Sequence, residues 1–425
     1  MLMYSYSLYY LIRLMRSQWL IPSEIEEIQR KKLRALVRHA YEKVDYYREL
    51  FDSARVKPEE INDLHDLTRI PITTKRQLQA VPIEKVTARG IQLDECMKVR
   101  TSGSTGIPLD ILIGPKDLRF RGAVIMRAFF ANAYRLTDRV VSLADFPLKR
   151  SSHWYQSLGI RRHKNIPAFL GIEEQIKELQ GENPDLLIIN PSRFEVIEEK
   201  LRETDPHAIR PRIVMTGGNV LARESRRRME AIFGVPVIDL YSSWEFGNIA
   251  WECSHRAGYH MNTDSLVIEL IHEGRRVSPG ERGELIITGL DAYAMPFIRY
   301  QIGDIGLLSD HGCPCGRGLP LLERIEGRNN DLIRLADGRV VSSYPITNLL
   351  RSIPGILQFR FVQEGLREFK VDLVTGKGFG RETIEKAEKG LGEILGPDII
   401  LQFRMVNEIP PDPSGKIRSV LSRVE

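Results

Sequence analysis

Apolar residues follow different spacings along the chain, and each spacing predicts a different kind of structure. Over residues 22–51 they recur at intervals of three and four, which predicts a helix that begins with a capping box of Ser23 and Glu26. Residues 109–250 alternate strand-like runs such as RIVMTGG with helical runs such as the one near residues 221–233. Strand–helix–strand alternation indicates parallel strands in an α/β fold.

The pattern changes after residue 262, where short apolar runs separated by turns (SLVIELI, RGELIITGL, DIGLLSD) predict a β-rich subdomain. From about Gly327 onward, a hairpin, a strand pair, a helix near residues 380–395 and a last strand predict a small α+β unit. The predicted fold class is therefore α/β. It has a large N-terminal α/β domain with the β-rich subdomain, residues 1–326, and a small mobile α+β C-terminal domain, residues 327–425.

Composition limits the classes of partner. The 425 residues include 61 Lys and Arg against 56 Asp and Glu, a net charge of +5, and no long basic run, so we expect no nucleic-acid partner. Four cysteines in a chain of this length exclude a disulfide framework. This balance of charges and this number of cysteines are those of an ordinary globular protein.

The stretch MLMYSYSLYYLIRLMR at residues 1–16 predicts an amphipathic helix that packs on the body of the protein. It lacks the basic leader and the small-residue cleavage site of a signal peptide. Arg13 interrupts the apolar run well before the roughly 20 residues that a membrane-spanning helix needs. We expect no integral membrane span and a cytoplasmic protein, and peripheral contact with a membrane is the open alternative.

One stretch, TSGSTGIPLD at residues 101–110, raises the question of a phosphate site. Glycine and small hydroxyl residues let backbone N–H groups approach an anion, and the hydroxyls add further donors. The stretch is not a Walker loop, because Ile107 and Pro108 follow Gly106 where that motif needs lysine and a hydroxyl residue. Taken alone, such a stretch is more often a surface loop that connects two strands.

Four further stretches give this loop a context: DLYSSWEFG (239–247), RYQIGDIG (299–306), IEGRNNDLIRLADG (325–338) and PPDPSGKIRSVL (410–421). Together with TSGSTGIP they resemble the core motifs of the acyl-adenylate-forming superfamily of acyl-CoA synthetases and adenylation domains. HAYEKVDYYRELF, LTRIPITTKRQL and CPCGR resemble the phenylacetate–CoA ligase branch, which includes capsule-biosynthesis (CapK-like) and deazaflavin-adenylylating relatives.

The resemblance implies an enzyme that uses ATP and Mg²⁺ to activate a carboxylic acid as its acyl-AMP and then passes the acyl group to coenzyme A. One alternative keeps this activation but changes the acceptor to a saccharide, a peptide or a deazaflavin cofactor. A further alternative is an inactive scaffold homologue. The sequence does not identify the acid, and a homodimer is left open.

The resemblance also implies roles for individual residues. Glu245 is expected to bind Mg²⁺, Tyr241 to face the adenine, and Asp304 to accept hydrogen bonds from the ribose. A mobile loop is expected to bring the Lys416 ammonium group to the carboxylate and α-phosphate as charge develops. The expected catalytic residues are thus Lys416, Glu245 and Arg328, the expected nucleotide-binding residues are Thr101, Ser102, Gly103, Ser104, Thr105, Gly106, Gly217, Gly218, Tyr241, Asp304 and Arg328, and the expected hinge residues are Asn330 and Asp331.

The chain departs from the family pattern at a few positions. Leu109 stands where the superfamily loop usually has lysine, although the phenylacetate branch often lacks that lysine as well. Ser242 and Trp244 stand where a glycine and a small hydroxyl residue are usual. We expect a bulky Trp244 beside the expected Mg²⁺ ligand to reshape the acyl pocket, and this puts the transfer of any family substrate to this chain in doubt. Asn330 stands at or beside a hinge position that is acidic in relatives.

The cysteines and nearby histidines predict a metal site. Three thiolates and one imidazole are a common tetrahedral set for Zn²⁺, and some members of the phenylacetate branch carry such a structural site. A reduced cluster without metal is the alternative, and Cys96 is left over as a buried small hydrophobic residue. The expected ligands are Cys253, His260, Cys313 and Cys315, with His255 and His311 as competing fourth ligands.

Overall fold

The computed structural model describes residues 2–100, 109–144, 154–167, 170–204, 208–328, 332–410 and 419–424. The chain divides into two compact units, one of residues 1–132 and 240–325 and the other of residues 133–239 and 326–425. The domain boundary between residues 326 and 327 stays a prediction.

Helices and strands occupy most of the described chain. The helices are α1 (Leu2–Ser17), α2 (Pro22–Lys43), α3 (Asp45–Ser53), α4 (Lys75–Gln79), α5 (Ile83–Val86), α6 (Pro115–Ala131), α7 (Trp154–Ser157), α8 (Ile172–Glu182), α9 (Pro191–Glu203), α10 (Arg223–Phe233), α11 (Ser343–Ser352) and α12 (Arg381–Leu395). The strands are β1 (Thr73–Thr74), β2 (Met97–Arg100), β3 (Asp110–Ile113), β4 (Val140–Ala144), β5 (His163–Pro167), β6 (Leu186–Ile189), β7 (Ile213–Gly217), β8 (Val237–Ser243), β9 (Gly247–Glu252), β10 (Tyr259–Met261), β11 (Leu266–His272), β12 (Arg275–Arg276), β13 (Arg282–Gly289), β14 (Tyr300–Leu308), β15 (Leu321–Arg328), β16 (Ile333–Arg334), β17 (Val340–Val341), β18 (Ile356–Gln363), β19 (Glu368–Thr375), β20 (Ile400–Met405) and β21 (Val420–Ser422).

The first unit is built on a mostly antiparallel sheet with the strand order β12-β11-β13-β14-β15-β10-β9-β8, and β1 pairs with β14 in parallel. Tyr47 and Phe51 from α3 share one core with Ile287 and Tyr300 from β13 and β14. The Tyr47 hydroxyl also donates to the Pro296 carbonyl, 3.1 Å away, so the core hydroxyl has a partner. The β-rich character predicted after residue 262 is confirmed.

The second unit contains the predicted parallel sheet, with the strand order β5-β4-β6-β7. Leu187 and Val214 from its strands pack with Phe194 and Met229 from α9 and α10. A separate sheet, β20-β19-β18-β21, packs with α11 and α12 around Phe361. Strand–helix alternation therefore produces the parallel pairing that the sequence predicts, because a helix between two strands returns the chain to the end of the sheet where the first strand began.

The helix expected over residues 22–51 is wrong in two details. Helix α2 ends at Lys43, and extended backbone at Val44 separates it from α3. At its start, the Glu24 carboxylate accepts from the Ile21 backbone N–H at 3.1 Å, so the cap lies two residues before the predicted box of Ser23 and Glu26. Pro22 at the first helical position explains this start, because its fixed φ suits a helix and it lacks the N–H that would need a partner.

Helix α1 is present as expected, and a buried ion pair fixes the surface on which it packs. The Arg127 guanidinium on α6 contacts both carboxylate oxygens of Asp264, at 2.5 and 3.0 Å, and Asn262 at 2.7 Å. The Ser17 hydroxyl at the end of α1 donates to the same carboxylate. Burial raises the pKa of Asp264, but the Arg127 charge and the Ser17 hydroxyl outweigh burial, and the pKa lies below its usual value.

Breaking this pair should destabilise the first unit strongly. Arg127→Met leaves the buried Asp264 carboxylate without the guanidinium that pairs with it directly, which should lower the free energy of unfolding by about 3–5 kcal/mol at neutral pH. Because the folded-state pKa of Asp264 is depressed, the pair's contribution is present above the unfolded pKa and disappears as pH falls below about 4. Urea unfolding of both proteins between neutral and acid pH measures the difference, which should shrink in acid.

Arg275→Met is the matched control, because Arg275 pairs with Glu281 at the protein surface. It should leave the free energy of unfolding unchanged within error, since exposed ion pairs contribute little. Equal effects of the two substitutions would contradict the role given to the buried pair.

Candidate functional site

Two residues expected to contact the nucleotide, Tyr241 on β8 and Asp304 on β14, are joined directly. The Tyr241 hydroxyl donates to an Asp304 carboxylate oxygen at 2.6 Å, although β8 and β14 are not neighbours in the sheet. Gly303, just before the aspartate, has a φ of +83°, a conformation that other residues rarely adopt. The IGDIG sequence therefore aims a buried carboxylate at the tyrosine.

Glu245 lies in the tight turn between β8 and β9, and its side chain is buried. The Tyr300 hydroxyl on β14 lies 3.3 Å from a Glu245 carboxylate oxygen. The next residue, Phe246, packs its ring on Phe297 and Tyr300, and its backbone N–H donates to the Ser243 hydroxyl. The turn is thus held from both sides, and it brings Glu245 to the same strand, β14, that carries Asp304.

Arg121 on α6 is a further part of this site, and sequence reasoning missed it. Its guanidinium donates to the carbonyls of Trp244 and Glu245, at 2.7 and 2.5 Å. Burial lowers the pKa of Arg121 to about 10, while Asp117 and Glu245 oppose the shift, so the group stays charged at neutral pH. Gly247 after the turn has a φ of +73°, a conformation that other residues rarely adopt, and its backbone packs beside the Arg121 side chain.

Helix α6 is itself fixed at its first turn, where Asp117 is buried. The Asp117 carboxylate accepts from the Ala294 backbone N–H at 3.0 Å, and burial raises the pKa of this carboxyl group. The Gly114 backbone before the helix lies so close to Ala294 that an added Cβ would come within 2.9 Å of the alanine Cβ. The helix that carries Arg121 is therefore held against the loop around residue 294.

The three cysteines and the histidine expected to bind metal lie together in the first unit. One potential ligand atom from each of Cys253, His260, Cys313 and Cys315 lies within 4.8 Å of the others. The Cys253 and Cys313 sulfurs are 3.5 Å apart, too far for a disulfide, and the Cys315 sulfur is 3.4 Å from the His260 imidazole. His255 and His311, the competing ligands, are exposed and outside this group.

The surroundings of this cysteine–histidine cluster are apolar and positively charged. Burial, followed by the Arg317 charge, lowers the pKa of His260 to about 4, so its imidazole is neutral at pH 7. Burial raises the pKa of Cys313 to about 12, whereas hydrogen bonds from Arg317 outweigh burial at Cys315 and lower its pKa. The Arg317 guanidinium also lies over the Trp19 and Trp251 rings, at 4.6 and 5.3 Å from their centroids.

Several expected site residues lie outside the described residues: Thr101, Ser102, Gly103, Ser104, Thr105, Gly106, Asn330, Asp331 and Lys416, and also the side chain of Arg328. The strands that flank residues 101–108, β2 and β3, pair antiparallel with Arg100 opposite Asp110. Gly217 and Gly218 follow the core of β7 in the second unit, and Gly218 has a φ of +84°. The roles of these residues stay predictions.

Comparison with known proteins finds relatives along most of the chain. The family described as "CapK C-terminal domain" matches residues 333–423. A phenylacetate-coenzyme A ligase of Aromatoleum evansii is 29% identical over 330 residues, which cover 73% of this chain and 72% of that protein. A phenylacetate-coenzyme A ligase of Thermus thermophilus is 28% identical over 393 residues, 84% of this chain and 85% of that protein.

A solved structure has the same fold. The crystal structure of 2-hydroxyisobutyryl-CoA ligase in the postadenylation state, in complex with R3-HIB-AMP, aligns with a TM-score of 0.81. The alignment covers 96% of this chain and 91% of that one at 22% sequence identity. At this identity the likeness shows the fold, and it confirms the predicted mixed α/β class.

Proposed function

Since the chain belongs to the phenylacetate–CoA ligase and CapK-like branch of the acyl-adenylate-forming superfamily, we propose that it is an AMP-forming acid–thiol ligase. It activates a carboxylic acid with ATP and passes the acyl group to coenzyme A. The observation that carries this function is the pair of phenylacetate-coenzyme A ligase relatives, which align with most of the chain.

The reaction has two balanced steps. A carboxylate oxygen attacks the α-phosphorus of ATP, the bond to the bridging oxygen breaks, and pyrophosphate leaves with its electrons. The coenzyme A sulfur then attacks the acyl carbon, loses its proton, and AMP leaves. Both steps build negative charge on phosphate oxygens, so the protein must position the reactants and supply positive charge.

Glu245 is the proposed ligand of Mg²⁺, and its surroundings support this role. A carboxylate oxygen is the ligand that Mg²⁺ prefers, and the bound ion would neutralise charge on the ATP phosphates. Tyr300 fixes one carboxylate oxygen while Arg121 fixes the backbone of the turn. The carboxylate is therefore oriented before the ion and the nucleotide arrive.

Asp304 and Tyr241 are the proposed contacts of the nucleoside. The Asp304 carboxylate can accept hydrogen bonds from ribose hydroxyls, and the Tyr241 hydroxyl holds that carboxylate at 2.6 Å. This bond also fixes the tyrosine ring, whose flat face suits an adenine. The direct contact between two residues that the motifs assign to one nucleoside supports both assignments.

The remaining roles are proposed from the motifs. The backbone and hydroxyls of residues 101–106 would hold the β- and γ-phosphates, with Gly217, Gly218 and Arg328 as further nucleotide contacts. Lys416 would approach the carboxylate and α-phosphate during activation. Rotation about the segment around Asn330 and Asp331 would then move Lys416 away for the thiol step.

The cysteine–histidine cluster is the proposed site of a structural Zn²⁺. With Zn–S bonds of about 2.3 Å, two sulfurs on one tetrahedral zinc lie about 3.8 Å apart, and the observed spacing of the Cys253 and Cys313 sulfurs is 3.5 Å. Four protein ligands leave no open position for a substrate. The proposed ion would therefore connect the β9–β10 region to the loop before β15 and take no part in the reaction.

The proposed function predicts acid-dependent exchange of labelled pyrophosphate into ATP. A panel of carboxylic acids should contain members that support exchange, and coenzyme A should convert those acids to thioesters with release of AMP. Lys416→Ala should lower the exchange rate by about 10²–10³ or more, because a cation at the developing charge is lost. Calorimetric titration should show that this variant still binds Mg-ATP.

Lys386→Ala is the control for Lys416→Ala, since Lys386 is an exposed cation on α12. It should exchange pyrophosphate like the wild type. If none of the acids in a broad panel supports exchange, the proposed function is wrong. If Lys416→Ala exchanges pyrophosphate at the normal rate, the role proposed for Lys416 is wrong.

Arg121→Met tests how the Glu245 turn is held. Without the guanidinium the turn loses two hydrogen bonds, and the Mg²⁺ concentration needed for half-maximal exchange should rise about 10–100-fold, the usual effect of losing a group that orients a metal ligand. Lys116→Met, an exposed cation in the first turn of the same helix, is the matched control and should leave the Mg²⁺ dependence unchanged. If both variants reach half-maximal exchange at the same Mg²⁺ concentration, Arg121 does not hold the Glu245 turn in the way proposed.

The zinc proposal predicts about one equivalent of Zn²⁺ per chain in protein purified without added metal. Cys313→Ser should lose the ion and melt at a lower temperature, because the ion links separate segments of the first unit. Cys96→Ser is the matched control, since Cys96 lies outside the cluster, and it should keep the ion. Elemental analysis makes the measurement, and wild-type protein with far less than one equivalent and freely reacting thiols would rule the site out.

A further inference from the structure

Helix α1 and the turn after it present an apolar stripe to solvent. Leu8, Ile12 and Met15 follow one another at intervals of four and three, which places them along one side of α1, and Trp19 lies in the turn just after the helix. The exposed fractions of Leu8, Ile12 and Trp19 are 58%, 44% and 52%, and Met15 is half-buried. Ile21, 60% exposed, continues the apolar surface beyond Trp19. Single exposed apolar residues are ordinary, but a continuous stripe indicates a binding surface.

A second stripe, beside the apolar one, is positively charged. It consists of Tyr9, Arg13 and Arg16, each of which comes one position after a residue of the apolar stripe. All three side chains are exposed. The Arg13 guanidinium lies over the Tyr9 ring, 5.6 Å from its centroid. Residues 2–17 of α1 include no aspartate or glutamate. The acidic group that interacts with Arg13 is Asp291, which is half-buried and already paired with Lys32 at 2.6 Å.

The helix cannot turn its apolar stripe inward, because its opposite side is fixed. Leu14 and Ser17 are buried, and the Ser17 hydroxyl is bonded to the Arg127–Asp264 pair. The Tyr10 ring packs edge-on against Phe120 of α6 with centroids 5.3 Å apart. The packing of α1 on the first unit therefore leaves the apolar and cationic stripes exposed.

We propose that this side of α1 docks the protein onto the surface of an anionic phospholipid bilayer, with the helix lying in the plane of the interface. Leu8 and Ile12 would enter the boundary between headgroups and acyl chains, where tyrosine and tryptophan rings are also favoured. Arg13 and Arg16 would meet lipid phosphates, with their apolar stems along the same surface. The helix does not cross the bilayer, since no helix in the described part of the chain is long and apolar enough to do so.

The charges favour a membrane over a second copy of this chain as the occupant. Two copies joined through this surface by a twofold axis would bring the Arg13 and Arg16 charges of both chains to one interface, without acidic partners on the helix. A bilayer rich in acidic headgroups instead supplies the opposite charge over the whole length of the stripe.

Co-sedimentation with vesicles tests the proposal and needs neither ATP nor an acid, so its outcome is separate from that of the proposed enzyme function. Wild-type protein should sediment with vesicles that contain phosphatidylglycerol, should bind phosphatidylcholine vesicles far more weakly, and should be released by added salt. Arg13→Gln/Arg16→Gln should weaken binding roughly thirtyfold, which corresponds to about 1 kcal/mol for each arginine near an anionic surface. Leu8→Asn/Ile12→Asn should weaken it by tenfold or more, since buried methylene groups are lost.

Ile400→Asn/Met405→Asn is the matched control, because these two side chains on β20 are 63% and 62% exposed and lie on another element. It should bind vesicles like the wild type, and thermal melts should show that every variant is folded. Equal wild-type binding to neutral and anionic vesicles, or no binding to either, overturns the proposal. A dimer in lipid-free solution that Leu8→Asn/Ile12→Asn dissociates would overturn it as well, in favour of a second copy.

Discussion

The buried contact between Arg127 and Asp264 is the constraint on which the first unit depends, because it fixes helix α6. Within two turns on the same helix, Arg121 holds the turn that carries Glu245, so the position of α6 sets the position of the proposed Mg²⁺ ligand. The same ion pair receives the Ser17 hydroxyl and thereby orients α1. One buried pair thus links the packing of the unit, its candidate site and its exposed helix.

The chemistry proposed for the site needs little covalent help from the protein. Adenylation is a displacement at phosphorus, and the protein contributes by holding charges and hydrogen-bond partners in place before reaction. The described residues do this in pairs: Tyr241 holds Asp304, and Tyr300 holds Glu245. Strand β14 supplies one member of each pair, which explains why the IGDIG and SSWEFG motifs lie together although they are distant in sequence.

The sequence predicts the parts of this structure whose signal is local. Strand–helix alternation, the Cys-x-Cys pair and the motif around Glu245 are each contained in a short run of residues, and the structure shows the alternating elements and brings the cysteines and His260 together. The role of Arg121 could not be predicted from a local pattern, because its partners lie over a hundred positions away in the sequence. An arginine on an amphipathic helix is ordinarily predicted to be exposed to solvent. The end of α2 before Val44 is likewise not predicted, because the helical spacing of apolar residues continues through that position.

The central claim is that the acid is activated by transfer of AMP to its carboxylate. The most direct test uses an acid that supports turnover, labelled with ¹⁸O in both carboxylate oxygens, together with ATP and coenzyme A. Mass spectrometry of the products then shows where the oxygen goes. An acyl-AMP intermediate leaves one labelled oxygen in the phosphate of AMP for each thioester formed. Unlabelled AMP, or label in pyrophosphate or inorganic phosphate, would contradict the account.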